Sequence, residues 1–189
     1  MEENVQKVQD QNERKTELEQ REGKEKEPER HKTKEEISKE NTTFSDETKR
    51  KAIQHIAKYE GYRSNAYKYY GDVWTIGYGH TKGAKAGDRI TKEEAERLYR
   101  EDFKEHSDAL KAVTVPLTEN QKIALASFIF NNGIGAFKSS TLLKKLNAGD
   151  YEGAANEFEV WDYFDGKHNA AIKKRRLREK ELFLLPNNK

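Results

Sequence analysis

The most apolar segment of the chain is Ile123-Ala124-Leu125-Ala126-Ser127-Phe128-Ile129-Phe130. A helix with no polar face has to lie inside a protein. Thr118-x-x-Gln121 just before it is a capping box, and Asn131-Asn132-Gly133 just after it reads as a helix stop. Apolar material is scarce elsewhere: 33% of the 189 residues are hydrophobic and 37% are charged. That amount suits one ordinary domain, built around this buried helix, with an appendage.

Other helices are legible around it. Ser45 caps a helix with Asp46 and Glu47 in its first turn, where the helix dipole favours acids. Thr91-x-x-Glu94 opens a long helix carrying Ala95, Leu98, Tyr99 and Phe103 on one face, and Pro116 ends that region. Ser140 to Asn147 is a leucine-bearing helix, Tyr151 to Trp161 another, and Ala170 to Leu185 the last. Between the first two lie two short runs rich in aromatic and β-branched residues, Tyr67 to Tyr70 and Val73 to Ile76. The two-residue turn Gly71-Asp72 joins them as a hairpin, and short strands continue to about Arg89-Ile90. The expected class is α+β: a small β-hairpin lobe followed by a mainly helical lobe, with a cleft between them.

The domain boundary is expected at residue 44. Residues 1–43 are nearly all polar, and Val5, Val8, Leu18 and Ile37 hold no sustained spacing. Such a stretch buries too little apolar surface to offset its ordering entropy, and is expected to be a disordered charged tail. It carries 10 basic and 13 acidic residues, which leaves 26 basic and 21 acidic in residues 44–189. A basic body suits an anionic partner, and also simply keeps a domain soluble.

Several chemistries lack their residues. There is no cysteine, no His-x-x-x-His and no His-Glu-x-x-His, so neither a metal nor a disulfide is expected. Phosphate loops, dinucleotide fingerprints and Gly-x-Ser-x-Gly elbows are absent, and no cofactor is expected. No apolar run approaches the roughly 20 residues of a membrane span. Met1-Glu2-Glu3-Asn4 has no signal-peptide pattern, so synthesis in the cytoplasm is expected. The basic cluster from Lys173 to Arg178 is the sole argument for nucleic acid, and a basic helix turn complementing the dipole, or docking on acidic neighbours, accounts for it equally.

The chemistry that does fit begins at Glu60. Ile53, Ile56, Ala57 and Glu60 fall at i, i+3, i+4 and i+7, so the carboxyl shares the core-facing side of its helix. Withdrawal from water favours the protonated form of a carboxyl, as a general acid needs. Glycoside hydrolysis needs such an acid and a second group for the water or the oxocarbenium-like centre. Asp72 and Thr75 on the adjoining hairpin are candidates, and Tyr67, Tyr69, Tyr70, Trp74 and Tyr78 are either sugar-facing or ordinary strand aromatics.

From Ser45 to Pro186 the chain resembles the phage-type lysozymes (glycoside hydrolase family 24). The resemblance rests on Glu60-Gly61-x-Arg63, Ala66-Tyr67, Val73-Trp74-Thr75-Ile76-Gly77-Tyr78-Gly79-His80-Thr81, and Lys174-x-Arg176-x-x-Glu179 with Glu181-Leu182-Phe183. It implies a hairpin-bearing lobe joined by a long helix to a helical lobe. It also implies cofactor-free hydrolysis of the β-1,4 bond between N-acetylmuramic acid and N-acetylglucosamine. The implied partner is the peptidoglycan glycan strand, met by a monomer that neither inserts in membranes nor binds nucleic acid and that acts on the wall after release or delivery. Glu60 matches the family's catalytic Glu and Thr75 its Thr, while Tyr69 stands where the family has Asp or Cys. His80 and Arg175 match residues beside the catalytic Glu, and Thr81, Phe130 and Ser140 match glycan-facing positions. A cleft asparagine of the family is replaced by Glu157.

The substitution at Tyr69 leaves three readings open. Asp72 takes over as base; or Tyr69 lines the cleft while Glu60, Thr75 and a bound water work at reduced rate; or the domain binds wall glycans and cleaves them poorly or not at all.

Overall fold

The computed structural model describes residues 31–68 and 71–186, and the described residues from Thr33 onward belong to one unit. Its elements, numbered here in chain order, start with α1 (Lys34–Asn41) and α2 (Asp46–Glu60), followed by the antiparallel strands β1 (Arg63–Lys68) and β2 (Trp74–Gly77). The long helix α3 (Lys92–Ser107) runs on into a 3-10 turn (Asp108–Ala112). Then come α4 (Glu119–Asn132), α5 (Ile134–Ser139), α6 (Thr141–Asn147), α7 (Tyr151–Glu157) and a second 3-10 turn (Phe158–Val160). A short hairpin, β3 (Tyr163–Phe164) with β4 (Lys167–His168), leads to α8 (Ala170–Leu184). This is the expected α+β arrangement.

The apolar segment is the centre of the fold. Every residue from Lys122 to Ile129 is buried, and Gly133, at φ 88°, ends α4. One side of α4 packs with α6, α7, Phe158 and Phe183; the other meets Ala52 and Ile56 of α2 and Tyr99 and Phe103 of α3. Phe128 is fully buried, with Phe158 and Trp161 set edge-on at 5.4 and 5.3 Å between ring centroids. Burying one such ring contributes about 2–3 kcal/mol.

The expected boundary at residue 44 is corrected. Thr33 caps α1 with a full capping box, and Asn41 at its end is 1% exposed. Asn41 Nδ2 donates to the carbonyls of Val113 and Val115, both at 3.0 Å, and its Oδ1 accepts from Leu117 N–H at 3.2 Å. A polar side chain satisfying main-chain groups holds this segment, and hydrophobic spacing carries no sign of that bond. The remainder of the expected tail, residues 1–30, lies outside the described residues.

In the hairpin, Tyr67 pairs with Thr75 and Lys68 with Trp74, with an irregularity between Arg63 and Tyr67. Ile76 and His80 exchange backbone hydrogen bonds of 2.9 Å around Gly77-Tyr78-Gly79. Gly77 and Gly79 have φ of 66° and 93°, a region side chains other than glycine rarely enter.

Candidate active site

Glu60 is the last residue of α2. Gly61 follows at φ 67° and turns the chain away, leaving the carboxyl at a helix end with 18% of its side chain exposed. Its Oε1 accepts from Arg175 Nη1 at 2.8 Å, a bond spanning 115 positions of sequence. On the other side, a Cβ added to Gly79 would stand 3.6 Å from Glu60 Oε2. The glycine turn therefore lies close over the acid.

Arg175 is itself held from several directions. Its Nε donates to Glu179 Oε1 at 3.1 Å, its Nη2 to the Ser127 carbonyl at 3.1 Å, and the guanidinium lies 4.6 Å from the Tyr59 ring centre. Ser127, the one hydroxyl on the buried α4 segment, donates to Glu179 Oε1 at 2.6 Å. Arg176 Nη1 lies 3.2 Å from Glu179 Oε2 without hydrogen-bond alignment, and its Nη2 donates to Asn131 Oδ1 at 2.6 Å. Burial pushes the Glu179 carboxyl above the usual carboxylate range, against the pull of Arg176, Arg175 and the Ser127 hydroxyl. The basic run on α8 thus divides: Lys173 and Lys174 face out, while Arg175 and Arg176 go inside.

Beside this network lies a cleft of about 410 Å³. Tyr59, Glu60 and Arg175 form one part of its wall, and Asn131 and Asn132 from the end of α4 another. Tyr163 and Phe164 of the second hairpin, with Asn169, Ala171 and Ile172 at the start of α8, complete it. Among the described residues that line it, Glu60 is the one carboxylate.

The expected site residues divide accordingly. Arg175 meets Glu60. Asp72 does not: its side chain is 97% exposed and paired with Lys68 at 2.6 Å, so the structure sets it at the hairpin tip in solvent. A turn aspartate next to a lysine gains nothing by facing inward. Thr75 is 5% exposed within β2, and Tyr69 lies outside the described residues. His80 is bound through Nδ1 to Asp102 at 2.8 Å and through Nε2 to the Lys82 carbonyl at 2.9 Å, and does not line the cleft. Thr81 is exposed outside it. Phe130 packs on Tyr99 and His106, and Ser140 caps α6 with its hydroxyl bonded to the Phe137 carbonyl at 2.7 Å. Neither lines the cleft. Glu157 pairs with Lys145 at 2.6 Å.

Sequence reasoning missed the second hairpin. Its signal was present as Asp165-Gly166 between Tyr163-Phe164 and Lys167-His168, an Asp-Gly turn of the type that favours a two-residue loop. It also read Asn131 and Asn132 only as a helix stop. Among the described residues, no three histidine or acidic side chains gather as a metal site.

The chain is similar to proteins already known. The Phage lysozyme family profile matches residues 57–179. The endolysin of Acyrthosiphon pisum secondary endosymbiont phage 1 is 46% identical over 138 residues, covering 70% of this chain and 94% of its own length. The endolysin of Salmonella phage P22 is 40% identical over 138 residues, covering 70% and 94%. Among solved structures, the muramidase domain of SpmX from Asticaccaulis excentricus superposes with a TM-score of 0.67 at 40% identity, covering 72% of this chain and 97% of that one. With the Glu60–Arg175 pair, the glycine turn and the buried α4 all inside the matched region, the chain belongs to the phage lysozyme family.

Proposed function

We propose that the protein is a peptidoglycan-hydrolysing lysozyme, cleaving the β-1,4 bond between N-acetylmuramic acid and N-acetylglucosamine with Glu60 as general acid. The observation that carries this is the Glu60 carboxyl, oriented by Arg175 through Oε1 and facing the Gly79 turn through Oε2 at the wall of the cleft. A group fixed in this way needs little reorganisation to meet a glycosidic oxygen. Asn131, Asn132 and Asn169 supply amides suited to the N-acetyl groups of such a strand. Thr75, 5% exposed in β2 and outside the lining of the cleft, is carried over from the family resemblance alone as the candidate for positioning the attacking water. The protein acts on the glycan strands of the cell wall.

A second reading is favoured by one specific feature. With Asp72 in solvent and Tyr69 at the position of the family's aspartate, the usual pair of carboxylates is incomplete among the described residues. A module that holds glycan and cleaves it slowly fits that feature. Release of reducing ends from purified peptidoglycan separates the two readings. The lysozyme reading expects turnover by the wild type, a loss of about 100-fold or more in Glu60→Gln, and a change under about twofold in Asp72→Asn. No turnover by the wild type, with activity gained in Tyr69→Asp, would establish the binding module instead.

A further inference from the structure

The second hairpin is held in a way its size does not explain. Each strand has two residues, and all four are exposed. Asp165 and Gly166 have φ of 50° and 70°, which makes the tight turn. A chain of polar bonds adds to that order. Asp162, 5% exposed, accepts from His168 Nδ1 at 2.8 Å, and its carbonyl accepts from Asn169 N–H at 2.8 Å. With the proton on Nδ1, the neutral ring offers Nε2 as an acceptor, and the Tyr163 hydroxyl lies 2.9 Å from it. The imidazole also lies against the phenol ring, 4.1 Å between centroids at 38°.

The result is an aromatic side chain fixed in orientation yet 53% exposed. Phe164 beside it is 38% exposed, and both line the cleft that holds Glu60. A solvent-facing ring held by a hydrogen bond and a ring contact has less rotamer freedom left to lose, so a ligand that covers it gains the contact at lower entropic cost. The C–H face of a pyranose ring is the surface that an aromatic wall of a glycan cleft accommodates.

We propose that Tyr163 is a stacking platform for a sugar ring of the bound glycan, with His168 and Asp162 as the positioning residues that hold its plane. The proposal rests on the reading of this cleft as a glycan site. It assigns the second hairpin a part in substrate binding, distinct from the acid on α2 and from the β1–β2 hairpin.

The test uses the Glu60→Gln protein, expected to hold substrate with little turnover, and a soluble tetrasaccharide of alternating N-acetylglucosamine and N-acetylmuramic acid, titrated by calorimetry. Adding Tyr163→Ala is expected to raise Kd about 5- to 10-fold, the size of an aromatic contact. Tyr163→Phe, which keeps the ring, is expected to stay within about threefold. His168→Ala should fall between the two, and add nothing once Tyr163 is Ala. With Glu60 restored, the loss in Tyr163→Ala is expected in KM rather than in kcat. An unchanged Kd in Tyr163→Ala would overturn the proposal. So would a Tyr163→Phe as weak as Tyr163→Ala, since the hydroxyl and not the ring would then be the contact. Absence of any tetrasaccharide binding overturns it as well. Binding through Tyr163 by a wild type that releases no reducing ends would sustain the platform and refute the hydrolase reading.

Discussion

Arg175 serves two carboxylates of opposite exposure, so replacing each by its amide separates the structural from the catalytic use of one arginine. Glu179 is 0% exposed, with Ser127 and Arg175 on one oxygen and Arg176 near the other. Glu60 is 18% exposed and has one bond, of 2.8 Å. Glu179→Gln keeps the shape and removes the charge between two buried guanidinium groups. Removing one member of a buried pair costs about 3–5 kcal/mol, because the remaining charge stays desolvated. Glu60 still faces Arg175, which places the loss near the lower end, about 3 kcal/mol. At about 2–4 °C per kcal/mol for a domain of this size, Tm falls by roughly 6–12 °C. Glu60→Gln leaves Arg175 paired with Glu179, so its cost should be within about 1 kcal/mol although activity is lost. Urea unfolding with an unchanged m-value gives the two free energies, and reducing-end release gives the activities. A Glu179→Gln protein within about 1 kcal/mol of wild type would refute the reasoning, as would a Glu60→Gln protein equally destabilised.

Asn41→Ala takes its side-chain partner from the Val115 carbonyl and the Leu117 N–H and leaves the Val113 carbonyl with the Ser38 hydroxyl, and unfolding should show a loss of about 2–3 kcal/mol. Gly79→Ala forces an alanine to φ 93° and sets a methyl against Glu60 Oε2, so reducing-end release should drop by about tenfold or more, with a stability loss of about 1–2 kcal/mol. Burial, with Arg175, Lys58 and Arg178 nearby, pushes the His55 imidazole down to about 4. It stays neutral in the fold while the unfolded chain takes up a proton below about pH 6.5, so its stabilising share is present above that pH and is lost as pH falls toward 4. The loss should be about 1–2 kcal/mol after allowance for solvent screening. Unfolding at pH 7 and pH 5 should show His55→Gln with the weaker pH dependence, and equal dependence in both proteins would count against the assignment.

What the residues determined unaided is what depends on near neighbours. The all-apolar run made α4 the centre, since no face of it can meet water. Thr118-x-x-Gln121 and Gly133 set its ends, and Gly77, Gly79 and the Gly71-Asp72 turn marked the first hairpin, because capping and positive φ are decided within a few residues. The motif from Glu60 to Thr81 carried the family and the acid. Tertiary structure alone decided the partners. Arg175 reaches Glu60 across 115 positions, and Asn41 reaches Val113 across 72. Both are polar bonds in which one side chain meets a group whose position depends on the whole fold, and no local periodicity encodes that. The same reason separates the two hairpin residues of interest. Asp72 had the right chemistry for a base and a lysine four positions back to keep it in solvent, whereas Tyr163 reached the cleft on a hairpin held by Asp162 and His168. Spacing proposes which side chains exist to do chemistry; the packing of α8 against α4 decides which of them meet.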